Sequence, residues 1–258
     1  MTTAILAGAE PWSHTATQGD GPPPPGFLAL HGFTGNPSSV RGLAKAVAGA
    51  GFHVELPRLP GHGTTVDDML PTRWADWTGE VEAAYQRLAE RADRIVVGGL
   101  SMGGSLTLWT GLEHPDVRGL VCVNPATQPQ PPEIREMLEA ALADGTDVMP
   151  GIGSDIADPE AVEIAYEGTP IRPLLSLLYD GLAPMADRYG ELEMPLLLYT
   201  SRQDHVVEPT QSEHLAATYG GEVDHRWLDR SYHVATQDFD REAIFGGAIE
   251  FARKVTAG

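Results

Sequence analysis

Three residues in this chain have the types and the order needed for covalent ester chemistry: Ser101, Asp204 and His233. A hydroxyl attacks a carbonyl only when a base takes its proton, and imidazole titrates close enough to neutrality to do so. An acid on the far side of the ring holds its tautomer and stabilises the imidazolium that forms. Ser101 stands in Gly99-Leu100-Ser101-Met102-Gly103, between the apolar run Arg94-Ile95-Val96-Val97-Gly98 and the helix-like Gly104-Ser105-Leu106-Thr107-Leu108-Trp109. Strand, sharp turn and helix around G-x-S-x-G make a nucleophile elbow. Glycine is needed at both flanks because the serine lies on a strained turn, where side chains two residues away meet neighbouring backbone. The chain holds 29 glycines, so the pentapeptide alone arises readily by chance and its partners must decide.

Those partners follow in the order serine, acid, histidine that this elbow requires, each on a loop after a strand. Asp204 lies in Ser201-Arg202-Gln203-Asp204-His205, directly after Pro195-Leu196-Leu197-Leu198-Tyr199-Thr200. His233 lies in Ser231-Tyr232-His233-Val234, directly after the run from Val223 to Leu228. Taken singly, Asp204 reads as a turn cap and His233 as one of nine ordinary histidines; their joint placement favours the triad. Rival acids are Asp180, Asp187 and Asp229, and the nearest rival base is His225. His205 reads as a turn residue, and His62 as a loop histidine without close partners. No histidine and carboxylate cluster has metal-ligand spacing, so neither metal nor organic cofactor is expected. The oxyanion of a tetrahedral intermediate needs two backbone donors, and these are expected from Met102, after the nucleophile, and Phe33, in the loop after an early strand.

The elements that must position these residues are legible as alternation. Residues 1–25 end in Pro22-Pro23-Pro24-Pro25 and read as a spacer, since proline lacks a donor for a sheet. A strand at Gly26 to Leu30 leads into His31-Gly32-Phe33-Thr34-Gly35, then a helix capped by Asn36 with Pro37 in its first turn. Phe52 to Leu56 gives the next strand, and Thr72 reads as the cap of a helix whose Trp74, Trp77, Val81, Ala84, Tyr85 and Leu88 share a core face. After the elbow, the apolar run Gly119 to Val123 is a strand covered on both faces. The pattern breaks between about Ala126 and Asp187, where no strand is expected and helical pieces alternate with proline and glycine. It resumes with the strand before Asp204, a helix near Thr210 to Tyr219, the strand before His233 and a helix from Arg241 to Val255. Such alternation predicts a mostly parallel sheet flanked by helices, an α/β fold, with the interrupted stretch inserted as a helical cap in a single domain.

Composition narrows the partners. At 258 residues, 42% hydrophobic and 21% charged, the chain supports one large domain with an ample core. A net charge of −19 excludes a phosphate-backbone partner, because nucleic-acid binding draws on clustered Lys and Arg. Cys122 is the single cysteine and lies in an apolar run, so neither a disulfide framework nor a thiol metal site is expected. The first residues lack a basic leader region, and no run of about 18 apolar residues occurs, so no transmembrane segment and a cytoplasmic setting are expected.

The assembled motifs resemble an α/β-hydrolase of the bacterial monoacylglycerol lipase type, related to the small thermostable carboxylesterases. The stretches that carry the resemblance are Gly8-Ala9-Glu10-Pro11, His31-Gly32-Phe33-Thr34-Gly35, Pro57 to Thr64, the elbow, Ile152-Gly153-Ser154-Asp155-Ile156, Asp204-His205-Val206-Val207 and Ser231 to Thr236. The resemblance implies an α/β-hydrolase fold and hydrolysis of a small lipid ester, with transient contact at lipid surfaces. It further implies that Ile152 lines the constriction of an acyl tunnel and that Glu163 contacts glycerol hydroxyls; the bland alternatives are cap packing and a solvated helix charge. The chain departs from the pattern in the proline-rich Thr127 to Pro132. A carboxylesterase on other short or medium-chain esters is the alternative enzyme, and a non-catalytic ligand receptor the alternative of another class.

Overall fold

A computed structural model describes residues 3–19, 21–151 and 153–257. Seven strands form the main sheet: β1 (Trp12–His14), β2 (Gly26–Leu30), β3 (His53–Leu56), β4 (Ile95–Leu100), β5 (Gly119–Val123), β8 (Leu196–Ser201) and β9 (Val223–Leu228). Their order is β1-β3-β2-β4-β5-β8-β9, with β1 antiparallel to β3 and every other pair parallel. Between them run α1 (Ser38–Gly49), α2 (Val66–Met69), α3 (Trp74–Ala89), α4 (Met102–Glu113), α8 (Thr210–Thr218) and the final α9 (Arg241–Thr256).

The central strands β2, β4, β5 and β8 are apolar almost throughout because both their faces are buried. Phe27 and Ala29 face one way with Val54, Val121, Leu197, α1 and α9, while Leu28 and Leu30 face the other with Val97, Cys122, Leu198, α3 and α4. Adjacent strands β2 and β4 therefore send their following helices to opposite faces. The crevice this opens beyond their carboxyl ends is a topological switch point, where open α/β sheets bind ligands. The loop after β2 and Ser101 after β4 both lie there.

Local chemistry marks the starts of two helices. Asn36 Oδ1 accepts the Ser38 N–H at 3.0 Å at the start of α1, as its type predicts. At α3, the expected cap Thr72 instead donates its hydroxyl to the Met69 carbonyl at 2.7 Å, and Asp76 accepts the Arg73 N–H at 2.8 Å. Residues 12–14 are not part of a spacer, since β1 pairs along the outer edge of β3. Between β5 and β8 the chain forms α5 (Pro132–Ala143), β6 (Val148–Pro150), β7 (Gly168–Pro170), α6 (Ile171–Ser176), a π-helical turn at Leu177–Leu182 and α7 (Ala183–Met185). The antiparallel pair β6–β7 corrects the expectation of no strand in this stretch; three residues rich in Pro and Gly carry no readable alternation. Among the described residues no helix is long and apolar enough to cross a membrane.

Candidate active site

The elbow is built by backbone crowding. A side chain at Gly99 would strike the Gly103 carbonyl, and one at Gly103 would strike the Leu30 carbonyl, so β4, α4 and the end of β2 touch backbone to backbone. Ser101 between them has φ 58° and ψ −123°, a conformation costly for any residue with a Cβ. Its N–H donates to the Val123 carbonyl at 3.0 Å, and its carbonyl accepts the Gly104 N–H at 2.8 Å, which holds the turn on both sides. Gly32 packs against it, since a Cβ there would lie 3.2 Å from the Ser101 Cβ. The loop bearing Phe33 is thus beside the serine, and the Met102 N–H, at the first position of α4, has no intrahelical acceptor.

Asp204 and His233 meet across the sheet end. His233 Nδ1 lies 2.8 Å from Asp204 Oδ2, with both side chains almost wholly buried. A carboxylate oxygen only accepts, so Nδ1 is the donor and Nε2 is left as the ring's acceptor. Asp204 Oδ1 takes the Val206 and Val207 N–H groups, each at 2.8 Å. Three of the four rivals are engaged elsewhere: Asp180 accepts from Ser176, Asp229 pairs with Arg202 at 2.8 Å, and His225 bonds Thr200 at 2.8 Å.

Ser101 and His233 line one cavity of about 340 Å³ with Phe33, Glu163 and the apolar Leu138, Met149, Leu174 and Leu178 of the segment between β5 and β8. That volume is at the small end of ligand sites. Glu163 also lines a smaller recess with Gly32, Ser101 and His233. It sits in an irregular stretch and not on a helix, and burial raises its carboxyl above the usual range, with Asp155 adding to the rise and His233 opposing it. Ile152 lies outside the described residues.

His62, which has no close metal-ligand partner in the sequence, gains aromatic neighbours in the fold. Fully buried, it packs its ring edge-on against Phe33, Trp77 and His31, and its Nδ1 meets the Pro60 carbonyl at 3.0 Å. Burial, with Arg58 adding to it, pulls its imidazole down to about 4. His31 is likewise lowered, by burial and then by His62, and its Nε2 accepts the Leu59 N–H at 3.1 Å. Two neutral histidines therefore brace the loops on which Phe33 rides. Sequence reasoning also missed Asn124, in left-handed backbone with φ 45° after β5. Its amide nitrogen donates to the His233 carbonyl at 2.8 Å and to Ser201 Oγ at 3.0 Å, tying the end of β8 to the histidine loop. The one available signal was an asparagine directly after an apolar strand, where left-handed backbone favours that residue type.

Parallel sheet, switch-point crevice, strained serine and paired acid and histidine define the α/β-hydrolase fold. The chain belongs to the family described as "Serine aminopeptidase, S33", whose model matches residues 22–240. It is 39% identical over 254 residues to the thermostable monoacylglycerol lipase of Bacillus sp. (strain H-257), covering 97% of this chain and 96% of that protein. Identity to a carboxylesterase of Bacillus subtilis (strain 168) is 28% over 232 residues, covering 88% and 92% of the two chains. A solved structure reported for LipS and LipT, two metagenome-derived lipolytic enzymes, superposes with a TM-score of 0.87 at 39% identity, covering 97% of this chain and all of that one.

Proposed function

We propose that this chain is a monoacylglycerol lipase, hydrolysing one ester bond to release a fatty acid and glycerol through an acyl-enzyme on Ser101. The observation that carries the reading is the cavity that joins Ser101 and His233 to an apolar lining and to the partly buried carboxyl of Glu163. Similarity along nearly the whole chain to a monoacylglycerol lipase supports the same substrate class.

Ser101 Oγ attacks the ester carbonyl while His233 Nε2 takes its proton, and Asp204 stabilises the resulting imidazolium. The Phe33 and Met102 N–H groups donate to the oxyanion. His233 gives the proton to the departing glycerol oxygen; it then takes one from water, whose oxygen attacks the acyl carbon, and returns that proton to Ser101 Oγ as the acyl–Oγ bond breaks and the acid leaves. Residues 126–187 act as a cap within one domain of 258 residues, with leucines and Met149 along the acyl chain. Glu163 accepts hydrogen bonds from the glycerol hydroxyls. A reducing cytoplasm suits a chain whose single cysteine, Cys122, is buried and has its thiol pushed up by that burial.

Initial rates on matched monoacyl-, diacyl- and triacylglycerols test the substrate. The expected result is a clear preference for monoacylglycerol, because a small capped cavity holds one chain and one polar head. Higher turnover of short alkyl esters lacking glycerol would instead favour the carboxylesterase reading, which the Bacillus subtilis relative supports.

A further inference from the structure

We propose that Asp155, on the cap, is a positioning residue that sets the main chain of both catalytic loops and so aims His233 at Ser101. The proposal rests on the triad reading above. Asp155 Oδ2 accepts the His233 N–H at 3.0 Å and the His205 N–H at 3.1 Å. Its Oδ1 lies 2.7 Å from His205 Nδ1, and its own carbonyl accepts the Val234 N–H at 3.1 Å. One cap residue thus grips the base, the residue after the base and the residue after the acid.

The grip has a counterpart below. Asn124 holds the His233 carbonyl from the sheet side, so the main chain of the base is fixed at both its N–H and its C=O. A second buried carboxylate, Asp238, extends the same join: it accepts the Tyr232 N–H at 2.8 Å and the N–H groups of cap residues Ala157 and Asp158 at 2.8 and 3.0 Å. Asp155 is 9% exposed, so water does not readily replace its oxygens when they are removed. A peptide released there swings the imidazole, and a misplacement of about 1 Å costs about a hundredfold in rate.

What Asp155 supplies is an acceptor oxygen at one place, and not simply negative charge near His233. Asn at this position keeps the oxygen for both main-chain N–H groups and turns its NH2 toward His205 Nδ1; Glu keeps the charge but moves it by a methylene. The test measures kcat and KM of the whole protein on the soluble ester p-nitrophenyl butyrate for wild type, D155N, D155E, D155A and S101A, together with the downfield proton resonance of the His233–Asp204 hydrogen bond. D155N should retain kcat within about threefold, while D155E and D155A lose about tenfold to a hundredfold in kcat with KM within about twofold, and their downfield resonance broadens. Wild-type kcat in D155E or folded D155A, a loss in D155N as large as in D155E, or an effect on KM alone would overturn the proposal. If D155A does not fold, the contrast between D155N and D155E still decides. Undiminished activity in S101A would instead sink the triad reading, whatever the Asp155 variants do.

Discussion

Asp204 uses its two oxygens differently, one for the Val206 and Val207 N–H groups and one for the His233 ring. The first fixes the carboxylate; the second fixes the tautomer. Asp204→Asn keeps the shape, but its amide NH2 can face Nδ1 and favour the wrong tautomer. Turnover is expected to fall by about four orders of magnitude with the fold retained. Steady-state kinetics beside circular dichroism checks this, and unchanged turnover would move the acid's role elsewhere. Ser101, Asp204 and His233 were legible because each follows a recognisable strand in the order the elbow demands. Asp155 and Asn124 were not, because their partners lie far off in sequence, His233 being 78 residues from the first and 109 from the second. Nothing in the local spacing of either residue announces a contact at that range.

At the scale of elements, the site depends on three backbones meeting where β2 ends and α4 begins. Gly103→Ala puts a methyl group into the Leu30 carbonyl, a rigid neighbour that cannot rotate away. Destabilisation of at least about 2 kcal/mol is expected, with loss of activity, since overpacking against backbone forces the loop bearing Phe33 off Ser101. Urea unfolding and ester turnover measure the two effects; an alanine variant with both unchanged would refute the crowding account. The buried parallel strands were readable as apolar runs, and β9 falls on the run from Val223 to Leu228 anticipated for it. Strand β1 was not readable, because its three residues gain strand geometry only by pairing along the edge of β3. The pair β6–β7 escaped for the same reason.

The molecule as a whole carries buried titratable groups whose effect is on stability. His62 is neutral in the fold, with its value drawn from 6.5 to about 4, and His31 is also lowered. Between those values the unfolded chain binds more protons than the folded one, so stability is full above about 6.5 and falls as pH drops toward 4. His62 alone contributes about 2 kcal/mol of that loss between pH 7 and about 4.5. Denaturant unfolding at both pH values should show His62→Asn, which keeps a donor for the Pro60 carbonyl, losing less stability than the wild type on acidification. Parallel losses would contradict the assignment. This packing was hidden in the sequence, where His62 stands among glycines and prolines and meets Trp77 and Phe33 only through tertiary folding.

The strained turn at Ser101 and the buried His233–Asp204 pair support Ser101 as the proposed nucleophile. Intact-protein and peptide mass spectrometry after treatment with a fluorophosphonate tests that most directly. The account predicts one adduct per chain, on the peptide containing Ser101, with monoacylglycerol hydrolysis lost in step and no adduct on Ser101→Ala. Folded wild-type protein that takes up no label, or Ser101→Ala that labels equally, would contradict it.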